Sequence, residues 1–421
     1  MALLIGAVAD DSTGASDLAN TLAREGMKVV QVIGVPDADT NTGDADAVVV
    51  ALKSRTAPVE EAVDQSVAAH AWLQDKGVKQ TIFKYCSTFD STDDGNIGPV
   101  ADALRAAAGA DFALVCPAFP ENGRTIYQGH LFVHGDLLEN SSMRDHPLTP
   151  MRQSNLVSMM DKQSCDRSGL IPLQTVHEGA EAIRSRIAEL KSEGCVYGVI
   201  DAITVEDLRD IGAAIADHRL VTGGSGIATG LPANFREKGL LGEHQPAPPP
   251  GIQGRRLVLA GSCSAATRGQ IKEAERHWPT RKIDVDQIAD GLNVVGDLRD
   301  WANKQSPEQP VLIYGSADPE EVAAVQAKYG TERSGEMVER VLGGLAAGLR
   351  DDGFNRIISA GGETSGAVVS ALGVKALKIC QEIAPGVPWT EMIGSQPIAL
   401  ALKSGNFGSP TFFQDAFELL P

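Results

Sequence analysis

This chain has no Cys-x-x-Cys pair, no apolar run approaching the length of about 20 residues needed to cross a bilayer, and a deficit of basic residues. Its six cysteines, Cys86, Cys116, Cys165, Cys195, Cys263 and Cys380, are scattered without regular spacing, which argues against a disulfide framework and fits a reducing cytoplasm. The apolar opening, Leu3 to Val8, has no basic segment before it and runs at once into Asp10 and Asp11, so it predicts a strand rather than a signal peptide. Lys plus Arg number 37 against 55 Asp plus Glu, a net charge of −18. That surface argues against sequence-independent binding of nucleic acid or anionic lipid, and leaves a small molecule as the expected partner.

Several site signatures are missing too. There is no Gly-x-x-x-x-Gly-Lys-Ser/Thr loop and no protein-kinase signature, and Thr222-Gly223-Gly224-Ser225-Gly226 lacks the dinucleotide fingerprint, so its expected role is close packing of helix on strand. His130 and His134 stand four apart, but glycine-flanked alternation places them on a strand, too far apart to share one metal ion. No protein metal ligands are predicted.

What the chain does contain is a repeated strand, loop and helix rhythm. With 421 residues, 43% of them hydrophobic, two domains are expected. Apolar runs without alternation predict an α/β fold in which each domain has a mainly parallel sheet flanked by helices. Ligands of such sheets lie beyond the carboxyl ends of the strands. Those ends carry Asp10-Asp11-Ser12-Thr13, then Lys53-Ser54-Arg55-Thr56, then Lys84 to Thr92. Two carboxylates, an Arg, a Lys and several hydroxyls suit a small polyhydroxylated acid. The polar, Met-rich stretch from Ser141 to Gln163, with Pro147 and Pro150, is either a cover over this site or a homodimer contact; both readings stay open.

Gln245 to Gly251 reads Gln-Pro-Ala-Pro-Pro-Pro-Gly, a stiff extended spacer. The expected domains are therefore 1–244 and 256–421, joined by a linker over 245–255. Beyond the linker, strand ends are rich in glycine and serine: Gly261-Ser262-Cys263-Ser264, Gly315-Ser316, Gly361-Gly362-Glu363-Thr364-Ser365-Gly366, and Lys403-Ser404-Gly405-Asn406-Phe407-Gly408. Adjacent glycines let a backbone approach a ligand, and Thr364 and Ser365 are read as caps of the following helix. Four such loops on one sheet edge form an anion-binding surface. Glu363 is either a carboxylate favoured by the helix dipole or a ligand contact.

Ala9-Asp10-Asp11-Ser12-Thr13-Gly14-Ala15, Ser54-Arg55, the run Lys84-Tyr85-Cys86-Ser87-Thr88-Phe89-Asp90-Ser91-Thr92, Gly361 to Thr364 and Ser404 to Gly408, in this order, resemble the four-carbon acid sugar kinase family over essentially the whole chain. The long Lys84 run followed by Gly95-Asn96-Ile97-Gly98-Pro99 is most similar to its 3-oxo-tetronate kinase branch. The resemblance implies a sugar-acid-binding domain, then a nucleotide-binding domain, with the site in the cleft between them. It also implies ATP-dependent phosphorylation of the 4-hydroxyl of a four-carbon sugar acid, with Mg²⁺ accompanying ATP. Substrate contacts are expected at Asp10, Arg55, Lys84, Tyr85, Cys86 and Ser87, with Asp11 or Asp10 as proton acceptor. Nucleotide contacts are expected at Ser262, Ala360, Gly361, Gly362, Glu363, Thr364, Gly405 and Asn406. D-threonate or D-erythronate as substrate, or a sensor that binds without turnover, are the alternative readings.

Overall fold

The computed structural model describes residues 3–146 and 149–421, so Pro147 lies outside the described residues. Two compact units are present, Met1–Pro246 and Ala247–Pro421, and the chain passes from one to the other inside the proline-rich stretch.

The first unit contains β1 (Ile5–Ala9), β2 (Val29–Ile33), β3 (Ala47–Ala51), β4 (Gln80–Lys84), β5 (Ala113–Cys116), β6 (Arg124–Tyr127), β7 (His130–Val133), β8 (Asp136–Leu137), β9 (Arg167–Ile171), β10 (Cys195–Ile200) and β11 (Leu220–Gly223). The main sheet of this unit runs β2-β3-β1-β4-β11-β5-β10-β9, with parallel pairing throughout. Its central strands are short apolar runs such as Ile-Gly-Ala-Val-Ala and Ala-Val-Val-Val-Ala, buried at every position. Only a sheet covered on both faces accommodates such strands.

Leaving β1, the chain builds β2 and β3 on one side and places β4 on the other, so the order reverses between β1 and β4. Ligands in open α/β sheets gather at that crevice. Ala9 is paired with Lys84 there, which sets Asp10 and Tyr85 side by side at the sheet edge.

β6, β7 and β8 form a small separate antiparallel sheet. His130 lies on β7, as expected, while His134 sits in the following turn at φ 51. This ribbon is fastened to the main sheet by Asp201, whose buried carboxylate accepts the amides of Gln128 (2.7 Å), Gly129 (2.8 Å) and Leu173 (3.0 Å).

The second unit contains β12 (Arg256–Ala260), β13 (Thr280–Lys282), β14 (Val311–Tyr314), β15 (Arg356–Ala360), β16 (Ala376–Ala384), β17 (Val387–Met392) and β18 (Ala399–Lys403). Within it the order is β13-β14-β12-β15-β18-β17-β16, parallel except that β17 runs antiparallel to both β18 and β16. The order reverses between β12 and β15, the same topological step as in the first unit. Ala260 pairs with Ala360, and Ala360 with Lys403, so the loops following all three strands leave from one edge.

The 21-residue helix Thr331–Asp351 packs Met337, Val341, Leu342 and Leu345 inward, the spacing expected of one helical face. No described helix is long and apolar enough to cross a membrane.

Candidate functional site

In the first unit, the strand ends assemble a compact charged group. Asp11 caps helix Ser12–Arg24: its Oδ1 accepts the Gly14 amide at 2.9 Å. Arg55 is held over both aspartates, donating through Nε to Asp10 Oδ2 (2.9 Å) and through Nη2 to Asp10 Oδ1 and Asp11 Oδ1 (2.8 Å each). Asp90 stands 3.9 Å from the same guanidinium. Burial pushes the Asp10 carboxyl upward against the opposing pull of Arg55, while the two aspartates hold Arg55 in its charged form.

The two aspartates are not equivalent. The Asp10 side chain is 7% exposed and both its oxygens are engaged by Arg55, whereas that of Asp11 is 29% exposed and its Oδ2 has no hydrogen-bond partner among the described residues. Arg55 is therefore a clamp between carboxylates before any ligand arrives. The backbone that carries it is fixed by Asn96, whose Nδ2 donates to the carbonyls of Ser54 (2.7 Å) and Ala57 (2.9 Å).

Lys84 is buried at the end of β4 and donates to the Tyr85 carbonyl at 2.8 Å. Its charge also acts on Asp17, a buried carboxylate that accepts the Ser225 hydroxyl at 2.5 Å and is pushed upward by burial against the pull of Lys84. The Tyr85 phenol is fully buried and bonded to Thr222 Oγ1 at 3.0 Å, and its amide donates to the Gly223 carbonyl at 3.0 Å, so the expected substrate contact at this residue is reduced to positioning Lys84 through its carbonyl. Cys86 contacts Thr88 Oγ1 at 2.8 Å, and burial pushes its thiol up to about 11, leaving it a neutral group rather than a nucleophile. Ser87 is half-buried on the same loop. Phe89 adopts φ 50 while completely buried, a conformation that nonglycine residues hold only when their surroundings enforce it.

The far end of this loop is held by a residue the sequence does not flag. Gln163, at the end of helix Leu156–Gln163, accepts the Ser91 hydroxyl (3.2 Å) and the Gly98 amide (3.0 Å) and donates to the Thr92 carbonyl (2.7 Å). Lys162 pairs with Asp93 at 2.9 Å. This end of the Met-rich stretch thus fastens the loop after β4.

In the second unit, a cavity of about 680 Å³ opens at the reversal between β12 and β15. Gly261, Ser262, Cys263, Gly361, Gly362, Glu363 and Thr364 form one part of its lining, and Val285, Val322, Val325 and Val338 contribute an apolar part. A polar, glycine-rich wall with apolar surface beside it suits a phosphorylated ligand carrying a flat ring.

Gly361 has φ +134, and a side chain there would lie 2.8 Å from Thr364 Oγ1 and 3.1 Å from the Ser262 amide. Only glycine permits this turn. It starts helix Gly362–Ala371 two residues before the expected caps, so Thr364 and Ser365 lie inside the helix and no side chain caps it. The first-turn residues Gly362, Glu363 and Thr364 line the cavity, and first-turn amides have no partner within a helix. Ala360 is fully buried and its carbonyl accepts the Gly261 and Ser262 amides, so it shapes the loop from below. Gly405 abuts the Ser262 hydroxyl from the third loop, and Asn406 is exposed beside it; neither belongs to the cavity lining.

Comparison with known proteins agrees with this division. The chain matches the sugar-binding N-terminal domain family over residues 5–231 and the nucleotide-binding C-terminal domain family over residues 257–413. It is 53% identical over 421 residues to the 3-oxo-tetronate kinase of Cupriavidus necator, covering 99% of this chain and 97% of that one. The 3-oxo-tetronate kinase of Pseudomonas fluorescens is also 53% identical, with the same coverage. A solved structure from Salmonella typhimurium LT2 superposes with a TM-score of 0.93 at 43% identity and covers 99% of both chains; it carries a provisional tRNA synthase label.

Proposed function

Since this chain belongs to the four-carbon acid sugar kinase family, in its 3-oxo-tetronate kinase branch, we propose that it transfers the terminal phosphoryl group of ATP to the 4-hydroxyl of 3-oxo-tetronate. The products are 3-oxo-tetronate 4-phosphate and ADP. The observation that carries this reading is identity of 53% sustained across both units to kinases of that name.

Phosphoryl transfer asks for a positioned acceptor hydroxyl and for neutralised charge rather than covalent chemistry. Asp11 is the residue we assign to the acceptor: its Oδ2 is open, and its other oxygen is fixed by Arg55 and the Gly14 amide. Asp10 orients Arg55 and through it Asp11. With Arg55 so engaged, the sugar-acid carboxylate falls to the remaining hydrogens of Lys84 together with the Ser87 hydroxyl and the Cys86 amide, the Tyr85 amide being taken up by the Gly223 carbonyl and its carbonyl by Lys84. Arg55 then adds field rather than a new bidentate pair.

In the second unit, Ser262 and the Gly361 to Thr364 turn hold the phosphates, with Gly405 supporting Ser262 from behind. No group of three or more His, Cys, Asp or Glu able to hold a metal ion occurs among the described residues. Mg²⁺ usually takes one or two carboxylates along with substrate phosphates. Glu363 and Glu339 would hold it, since both line the cavity; burial with the charge of Glu363 raises the Glu339 carboxyl. When bound, Mg²⁺ supplies neutralisation of phosphate charge.

The test is ADP release measured with 3-oxo-tetronate, D-threonate and D-erythronate. A kcat/KM for the oxo acid at least about 10-fold above the other two supports the proposal. Preference for threonate or erythronate would reassign the substrate, and no ADP release with any of them would sink the kinase reading.

A further inference from the structure

Lys403 ends β18 with its side chain completely buried. Its ammonium donates to Thr267 Oγ1 (3.0 Å), the Ser404 carbonyl (3.0 Å) and the Gly405 carbonyl (3.1 Å), so all three hydrogens meet neutral acceptors. The ionisable groups on neighbouring elements are Cys263 before helix Ala265–Ala274 and Arg268, Lys272 and Glu273 on it, Arg356 on β15, Glu363 beyond Gly361, Glu391 on β17, and Asp415 and Glu418 on the last helix. None of them sets its charge: burial alone lowers the ammonium, to about 8. The Phe412 ring, 5.9 Å away, adds only weak compensation.

A buried ammonium faced only by dipoles is costly, and folds that keep one have a use for it. Here the same residue joins two loops. Its carbonyl accepts the Gly361 amide at 2.8 Å. The Gly405 carbonyl, held by its ammonium, also accepts Ser264 Oγ (2.6 Å) and Thr267 Oγ1 (2.9 Å), which pins the turn against Ser262.

We propose that Lys403 is a positioning residue that supplies a buried counter-charge behind the nucleotide phosphates, acting through the Gly361 turn it bonds directly and through the Gly405 turn that backs Ser262, so that tight nucleotide binding requires its protonated form. This rests on the nucleotide reading of the second unit. The sign follows directly. Bound phosphate stabilises the ammonium, so binding takes up a proton near pH 8, and affinity falls as pH rises above that value.

Calorimetry of ADP binding between about pH 7.5 and 9, in two buffers of different ionisation enthalpy, reads both effects; the nucleotide's own phosphate titrates near pH 6, outside this window. The wild-type enzyme is expected to take up roughly half a proton near pH 8 and to lose up to about 10-fold in affinity per pH unit above it. Lys403→Met should bind ADP about 10- to 100-fold more weakly, with a flat profile, and Lys403→Arg should recover affinity without the pH dependence. The wild-type measurement stands alone if a variant fails to fold. Tight ADP binding with no proton uptake and a flat profile overturns the role of Lys403 while leaving the kinase reading intact. Absence of any ADP binding overturns both.

Discussion

At the scale of the residue, the question is which aspartate meets the acceptor hydroxyl. Asp11→Asn preserves the helix cap, because Asn caps as well as Asp, and removes the one open carboxylate oxygen. Its kcat is expected to fall by roughly 10² to 10⁴ with little change in thermal stability. Asp10→Asn breaks a buried bidentate pair and is expected to lower stability by roughly 3 kcal/mol as well as activity. Steady-state kinetics and a thermal melt on both variants decide the matter. A stable Asp10→Asn enzyme without turnover, beside an active Asp11→Asn enzyme, would exchange the two roles. Asp10, Asp11, Arg55 and Lys84 were legible in the sequence because strand ends can be read from apolar runs. That Arg55 is taken up by the aspartates was not, since 45 residues of separation say nothing about where a side chain turns. Gln163 and Lys403 escaped for the same reason: each acts through a contact that folding creates.

At the scale of the element, the parallel strands announce themselves as continuous apolar runs ending in polar loops. The antiparallel pair β16 and β17 did not. Lys378, Gln381, Glu382 and Glu391 interrupt its apolar pattern, and register shifts between Ile379 and Glu382 and between Glu382 and Ala384 spoil the alternation. The glycine turn after β15 was legible as a loop, but its helix begins earlier than the caps suggested because Gly361 reaches a backbone conformation closed to other residues. The two glycines of that turn differ in a usable way. A side chain on Gly362 meets nothing within 4 Å, so Gly362→Ala should leave stability within about 0.5 kcal/mol of wild type. If phosphate approaches this backbone, the same substitution raises the KM for ATP by roughly 10-fold or more, while the KM for the sugar acid stays put. Gly361→Ala instead strains the turn at a cost of about 1–3 kcal/mol. An unchanged KM for ATP in the stable Gly362→Ala enzyme would mean that the turn serves the fold alone.

At the scale of the whole molecule, the same topological step occurs twice, and each candidate site lies at its unit's reversal of strand order. Two domains were expected from length and the proline-rich stretch, but this shared step was not, because sequence rhythm gives strand succession without strand order. Net charge, by contrast, is fully legible. Of the cations that balance part of the 55 acidic residues, Arg24, Lys28, Arg105, Lys162, Lys191, Lys282, Arg299 and Lys328 are each paired with a carboxylate. A surface with 37 basic against 55 acidic residues carries a net field that repels phosphate backbones, and counterion release is what drives most nonspecific nucleic-acid binding. The net charge of −18 therefore predicts weak nonspecific binding of tRNA by this chain. Filter binding with bulk tRNA should show no retention at about 0.15 M salt, at protein concentrations where nonspecific binders of Kd near 10⁻⁶ M would saturate. Retention that weakens steeply as salt is raised would reveal a basic tract large enough to engage several phosphates, and would reopen nucleic acid as a partner.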